Sequence, residues 1–253
     1  MKAEARLRVG AAEIDVLTLE ETTQLVIERA QAGGPPGYIV TPNAQHVALL
    51  ESSAELREAY EHAWLSVADG VPLIWASRLL GVPLPGRVNG TDLFEVTCAA
   101  AAESGVSVFL FGGKPGSAEG AVRVLSERHP TLRVAGTYCP PMGFERNADE
   151  RRKAVEAVRQ AAAGVVFVGL GAPKQERWML ESQEEIGAPV SMGIGGSFEL
   201  VSGMVPRAPV WMQRHGLEWF YRLAREPRRL WKRYAVTNPH VVAIVRRQRL
   251  RPG

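Results

Sequence analysis

The chain has 253 residues, 30 Lys/Arg against 27 Asp/Glu and 46% hydrophobic residues, which suits a globular α/β protein with one sizeable core and excludes a disordered or fibrous chain. No apolar run is long enough for a spanning helix and the start, MKAEARLRVGAAEIDVL, lacks an apolar signal core, so a cytoplasmic chain is expected. The net charge of +3 conceals an asymmetry: residues 205–253 hold twelve Lys/Arg against two Glu, residues 1–204 eighteen against twenty-five, and so basic a tail points to a polyanionic partner.

In chain order, Leu7 to Leu17 alternates around Gly10 as a hairpin, and a helix is expected over Leu19 to Ala32. One unit then recurs: an apolar β-branched run, a Gly/Pro/Asn-rich loop, a helical pattern. It is seen at Tyr38 to Val40, with the loop Thr41-Pro42-Asn43 and a helix from Ala44, and in a shorter form ending at Asp69-Gly70. Val106 to Phe111 leads into GGKPGS and a helix from Ala118, with Ser117 as its expected N-cap. Val165 to Val168 leads into GLGAP and the helix KQERWMLE, with Pro173 at a helix start, and Val190 to Met192 leads into GIGG. The repetition predicts an α/β fold, a Rossmann-like, mostly parallel sheet flanked by helices, over residues 1–204. Residues 205–253 form a helical, basic appendage in which Trp211, Trp219, Phe220, Tyr221, Leu223, Leu230, Trp231 and Tyr234 are threaded between arginines. That mixture fits a surface both anionic and greasy.

In such a sheet, ligands bind at the carboxyl ends of the strands, where this chain concentrates its glycines, at 112, 113, 169, 171, 193, 195 and 196. Backbone amides and helix N-termini there favour a diphosphate-bearing ligand, although each glycine cluster alone also serves a tight turn. The four aspartates, Asp15, Asp69, Asp92 and Asp149, form no Asp-x-Asp pair, and the five histidines are scattered. No essential metal and no cofactor are therefore expected, and a diphosphate would rely on Arg87, Lys174 and backbone amides. Cys98 and Cys139 lack metal-ligand spacing and are expected to be reduced structural thiols. Asp69, at the end of an apolar strand and before Gly70, is the carboxylate suited to be a base, since apolar walls raise its pKa. The competing assignment is a turn aspartate capping a helix that starts near Pro72.

The strings TPNAQHV (41–47), ADGVPLIWASRLLG (68–81), GRVNGTDLF (86–94), FLFGG (109–113), GLGAPKQERWM (169–179), GIGGSFELVSG (193–203), PRAP (206–209) and LEWFYRLAREPRRLWKRY (217–234) together resemble the WecG/TagA/CpsF glycosyltransferases, glycosyltransferase family 26. These are bacterial N-acetylmannosaminyltransferases. The resemblance implies a metal-independent, inverting enzyme that moves N-acetylmannosamine from a UDP-sugar to the 4-hydroxyl of GlcNAc on undecaprenyl diphosphate, in teichoic acid or surface-polysaccharide synthesis. It puts the catalytic base on Asp69, Thr41 and Asn43 beside the reacting sugars, Arg87 at the leaving diphosphate and Gln175 near the sugar pocket. Glu199 stands where many relatives have Asp, near the nucleotide. Bland assignments compete: Asn43 as a helix cap, Arg87 in a surface ion pair, Lys174 and Glu176 as a solvated first turn.

The resemblance also implies that the appendage docks on the inner face of the cell membrane, as a peripheral protein, and completes the site over the lipid diphosphate. Arg222 and Arg229, one helical face apart, with Lys232 or Arg233 a turn on, are expected to hold that diphosphate. A homo-oligomer of the core that opens to active monomers is a further implication. Two other classes fit less well. A basic, aromatic tail also suits single-stranded nucleic acid, but this leaves the Asp69 loop and GLGAPKQE unexplained, so no nucleic acid is expected. A dinucleotide-dependent oxidoreductase would need a Gly-x-Gly-x-x-Gly opening a helix, and none is present.

Overall fold

In a computed structural model, residues 5–250 are described, apart from the side chains of Arg214, Arg229, Leu230, Lys232, Arg233, Tyr234 and Val236. The chain opens with an antiparallel hairpin, β1 (Arg6–Val9) and β2 (Ala12–Asp15), then α1 (Leu19–Ala32). Next come β3 (Tyr38–Val40), α2 (Ala44–Leu50), α3 (Ala54–Glu61), β4 (Leu65–Ser66), α4 (Val71–Leu79) and α5 (Gly90–Ser104). The second half alternates: β5 (Ser107–Gly112), α6 (Ser117–Arg128), β6 (Arg133–Tyr138), α7 (Ala148–Ala161), β7 (Val165–Gly169), α8 (Lys174–Ile186), β8 (Val190–Gly193) and α9 (Ser197–Val201). The appendage supplies α10 (Val210–Arg214), α11 (Glu218–Arg225) and α12 (Pro227–Leu250).

The six longer-range strands pair in the order β4-β3-β8-β7-β5-β6, every pair parallel, so the expected α/β fold is present. Successive strand residues alternate between two covered faces. Val166, Val168, Phe109 and Phe111 join one core cluster, while Val165, Phe167, Val108 and Leu110 join the other. This is why these strands read as continuous apolar runs rather than alternating ones. The edge strand β6, RVAGTY, is only half-buried and has no apolar run, so its sequence does not announce it. The hairpin is tied to β4 by buried Asp15, which accepts from Arg6 Nε at 2.7 Å and from the Ser66 amide at 2.8 Å.

Two local expectations are corrected. Helix α6 has Gly116, in the left-handed region, at its N-cap position; Ser117 is the first helical residue and its hydroxyl donates to the Lys114 carbonyl at 2.7 Å. Arg222 and Arg229 do not share one helix. The chain breaks between α11 and α12 at Glu226, because the residue before Pro227 is driven out of helical geometry. Helix α12 then runs back over the main body, and its Val241, Ile244 and Val245 join the core cluster of the hairpin and α2. Among the described residues, no helix is long and apolar enough to cross a membrane.

Candidate active site

A cleft of about 580 Å³ opens at the carboxyl ends of the four adjacent strands β4, β3, β8 and β7. Its walls come from the loops after those strands, and it is closed on one side by the appendage through Gly216, Glu218, Trp219, Arg222, Thr237 and Asn238. Thr41, Asn43, Asp69, Arg87, Gln175 and Arg222, which are far apart in sequence, all line it.

Asp69 sits where β4 runs out. Its amide donates to the Pro42 carbonyl at 2.7 Å, which holds the loop after β4 against the loop after β3. Gly70 follows with φ +133°, a conformation that a side chain resists, and α4 begins at Val71 with no side-chain cap. The Asp69 carboxylate therefore does not cap that helix. It accepts instead from Asn89 Nδ2 at 3.1 Å. Burial is the main force on this carboxyl and raises its pKa above the usual carboxylate value; Arg87 and Arg222 pull it down and Glu218 adds to the rise.

The GRVN loop stands beside Asp69 because the Val88 amide donates to the Ala68 carbonyl at 2.8 Å. Asn89 caps α5, its side-chain oxygen accepting from the Thr91 and Asp92 amides, so its amino group is left facing Asp69. Arg87 pairs with Glu218 of α11 at 2.8 Å and lies 3.8 Å from Asp92. The ion-pair assignment for Arg87 is thus real, but its partner belongs to the appendage and the pair lies inside the cleft. Arg207, of the PRAP string, ties the same group together: it reaches Glu218 at 3.2 Å, Glu95 at 3.1 Å and Asp92 through a further close pair.

Asn43 is indeed a helix cap. Its side chain accepts from the Gln45 amide at 2.9 Å and the His46 amide at 3.4 Å, while lining the cleft. Thr41 Oγ1 donates to the Gly193 carbonyl at 3.1 Å and pins β3 to β8. Gln175 Oε1 accepts from the Gly171 amide at 3.2 Å and the Gly195 amide at 3.0 Å, bridging GLGAP and GIGG. A Cβ on Gly193 would come within 2.8 Å of Gln175 Nε2, so that strand end must stay bare.

Lys174 is solvated and pairs with Glu145 at 2.5 Å, but Glu176, two residues on in the same first turn, is fully buried, contrary to a solvated first turn. Glu199 is buried outside the cleft lining, where it accepts from the Lys114 amide at 2.9 Å. The Gly112-Gly113 loop after β5 likewise does not line the cleft. The side chains of Arg229 and Arg233, expected at the lipid diphosphate, lie outside the described residues. His46, Trp75, Glu218, Thr237 and Asn238 also line the cleft without having been singled out; His46 lies within TPNAQHV, Trp75 within ADGVPLIWASRLLG and Glu218 within LEWFYR as an acid in a basic segment, while Thr237 and Asn238 carry no signal. Cys98 is buried and Cys139 half-buried; both are free thiols, and burial pushes both up. Among the described residues, no three His, Cys, Asp or Glu side chains gather as a metal cradle.

Comparison with known proteins agrees with the motif strings. The profile of the glycosyl transferase WecG/TagA/CpsF family matches residues 7–253. The N-acetylglucosaminyldiphosphoundecaprenol N-acetyl-beta-D-mannosaminyltransferase of Bacillus subtilis (strain 168) is 34% identical over 181 residues, which span 72% of this chain and 68% of the relative. With nearly its whole length inside that profile, the chain belongs to the WecG/TagA/CpsF family of glycosyltransferases.

Proposed function

We propose that this glycosyltransferase moves N-acetylmannosamine, or a close relative, from a UDP-sugar to the 4-hydroxyl of GlcNAc carried on undecaprenyl diphosphate, with inversion and without a metal ion. The observation that carries the proposal is Asp69: a carboxyl with a raised pKa at the strand ends, oriented by Asn89 and flanked by Arg87 and Arg222 in one cleft. The named activity of the Bacillus subtilis relative supports the choice of sugar and acceptor.

In this mechanism Asp69 takes the proton of the acceptor hydroxyl as that oxygen attacks the anomeric carbon, and the bond from that carbon to the UDP oxygen breaks on the opposite face. Arg87 and Arg222 meet the charge that develops on the departing diphosphate, a task for guanidinium forks in a partly dry cleft. Thr41, Asn43 and Gln175 shape the sugar side. Glu199 acts from behind, holding the Lys114 loop near the nucleotide. Arg229 and Arg233, whose side chains lie outside the described residues, are assigned to the lipid diphosphate on the motif resemblance alone.

The chain is proposed to work as a peripheral protein on the anionic inner face of the membrane. Support comes from the basic tail, and from Trp75 (61% exposed) and Trp219 (41%) at the cleft, with Leu79, Trp211, Phe220 and Trp231 also exposed. Indole rings suit headgroup depth, and each basic residue near such a surface contributes about 1 kcal/mol.

The deciding experiment is transfer from UDP-N-acetylmannosamine to a GlcNAc-diphosphate lipid analogue with EDTA present, following UDP and disaccharide. Disaccharide formation is expected. Analogue binding without product would sink the proposed donor or the metal independence, and UDP release without disaccharide would sink the proposed acceptor.

A further inference from the structure

Behind Gln175 and His46 in the cleft wall lies a buried carboxylate, Glu176, that the mechanism above does not use. Glu176 is 0% exposed and His46 5% exposed. Glu176 Oε1 accepts from Gln175 Nε2 at 2.9 Å and stands 3.5 Å from His46 Nε2. His46 Nδ1 in turn accepts from the Asn43 amide at 3.2 Å, which leaves the ring proton on Nε2; that nitrogen makes no hydrogen bond among the described residues, so its tie to the carboxylate is the 3.5 Å electrostatic contact alone. The other Glu176 oxygen has no hydrogen-bond partner among the described residues. A buried carboxylate with so few donors is a poor stabiliser, and an apolar side chain of the same volume would pack there at no greater cost.

What the carboxylate can do is decide an orientation. A glutamine amide has one accepting and one donating end, and the two look alike in shape. Gln175 must turn its oxygen toward the Gly171 and Gly195 amides, since a flip would set its amino group against two N–H donors. Glu176, an acceptor only, holds the amino end. Through His46 the same oxygen also faces the cap of α2, so the loops after β3, β7 and β8 are referred to one buried atom.

We propose that Glu176 is a positioning residue, which acts through Gln175 and His46 to hold the three strand-end loops in register around the reacting sugars. The kinetic part of its test rests on the transferase activity proposed above; the amide-exchange part does not.

The test compares Glu176→Gln with Glu176→Met in the full chain. The glutamine oxygen can take the place of Oε1, so E176Q should keep kcat within about threefold, whereas E176M should lose about tenfold or more in kcat with KM changed less than about threefold. Hydrogen exchange at Gly171 and Gly195 should be about tenfold faster in E176M than in wild type or E176Q. Thermal stability of E176M at or above wild type would accompany the loss, which a mere packing role would not produce. A swap gives a second route if E176M does not fold. Gln175→Glu alone sets two carboxylates against each other, and adding Glu176→Gln restores the bond with its direction reversed, recovering about fivefold or more in Gly171 and Gly195 protection. Unchanged exchange and kcat in E176M, or no recovery in the swap, overturns the proposal. An inactive wild type with the expected exchange pattern overturns the transferase activity and keeps the positioning role.

Discussion

The Asn89 amino group donates to Asp69 Oδ1 at 3.1 Å while the Asn89 carbonyl caps α5. One side chain thus joins the start of a helix to the proposed base. Because the cap fixes which end of the amide faces the cleft, the hydrogen bond is preorganised before substrate arrives. Asp69→Asn should lower kcat by about 10²- to 10⁴-fold, the usual worth of a positioned base, with calorimetric affinity for the UDP-sugar changed less than about threefold. Near-normal turnover would remove Asp69 from that role.

The raised pKa of Asp69 sets the acid limb of the pH–rate profile above the ordinary carboxylate range, since the base works only when deprotonated. Arg222 lowers that pKa, so Arg222→Gln should shift the limb of kcat/KM to higher pH, and Glu218→Gln should shift it the other way. Stability runs opposite to activity. A carboxyl whose folded pKa is raised contributes stability that is fully present below its unfolded pKa and is lost as pH rises through the folded value. Asp69→Asn should therefore melt no lower than wild type at neutral pH, as read by calorimetry.

Arg207 makes three carboxylate contacts from one half-buried guanidinium, to Asp92, Glu95 and Glu218. Removing it leaves those acids facing one another. Arg207→Ala should cost about 2 to 4 kcal/mol in denaturant unfolding, and Arg207→Lys should recover less than half, because an ammonium cannot fork to several partners. A loss below about 0.5 kcal/mol, the ordinary worth of an exposed pair, would show that the network does not hold α11 in place.

Membrane attachment is best tested by charge rather than by deletion, since cutting the appendage would strip Val241, Ile244 and Val245 from the core. Arg225, Arg228, Arg246 and Arg247 are exposed. Changing all four to Gln should weaken binding to anionic vesicles by about 10²-fold or more at low salt, at about 1 kcal/mol for each residue near the surface. Binding that stays the same would move the contact to the apolar residues Trp75, Leu79 and Phe220.

The repeated strand–glycine loop–helix units were legible because parallel strands covered on both faces must be apolar throughout and their tight turns need glycine. Val165 to Val168 and Tyr38 to Val40 show this directly: every side chain there is buried. The half-buried edge strand β6 was not legible in the same way, since it leaves no apolar period, whereas the split between α11 and α12 was signalled by Pro227, which drives Glu226 out of helical geometry.

The site divides along the same line. Local rules and motif strings sufficed to bring Thr41, Asn43, Asp69, Arg87, Gln175 and Arg222 to one cleft, the strand-end residues among them because a parallel sheet gathers its loops at the carboxyl ends. Only the tertiary structure decided that Glu218 would reach Arg87 from the appendage, that Glu176 would be buried rather than solvated, and that Glu199 would lie outside the cleft. The physical reason is that charge pairing and burial depend on which distant segments meet. A period in the sequence records which face a residue takes, but it does not record the partner waiting there.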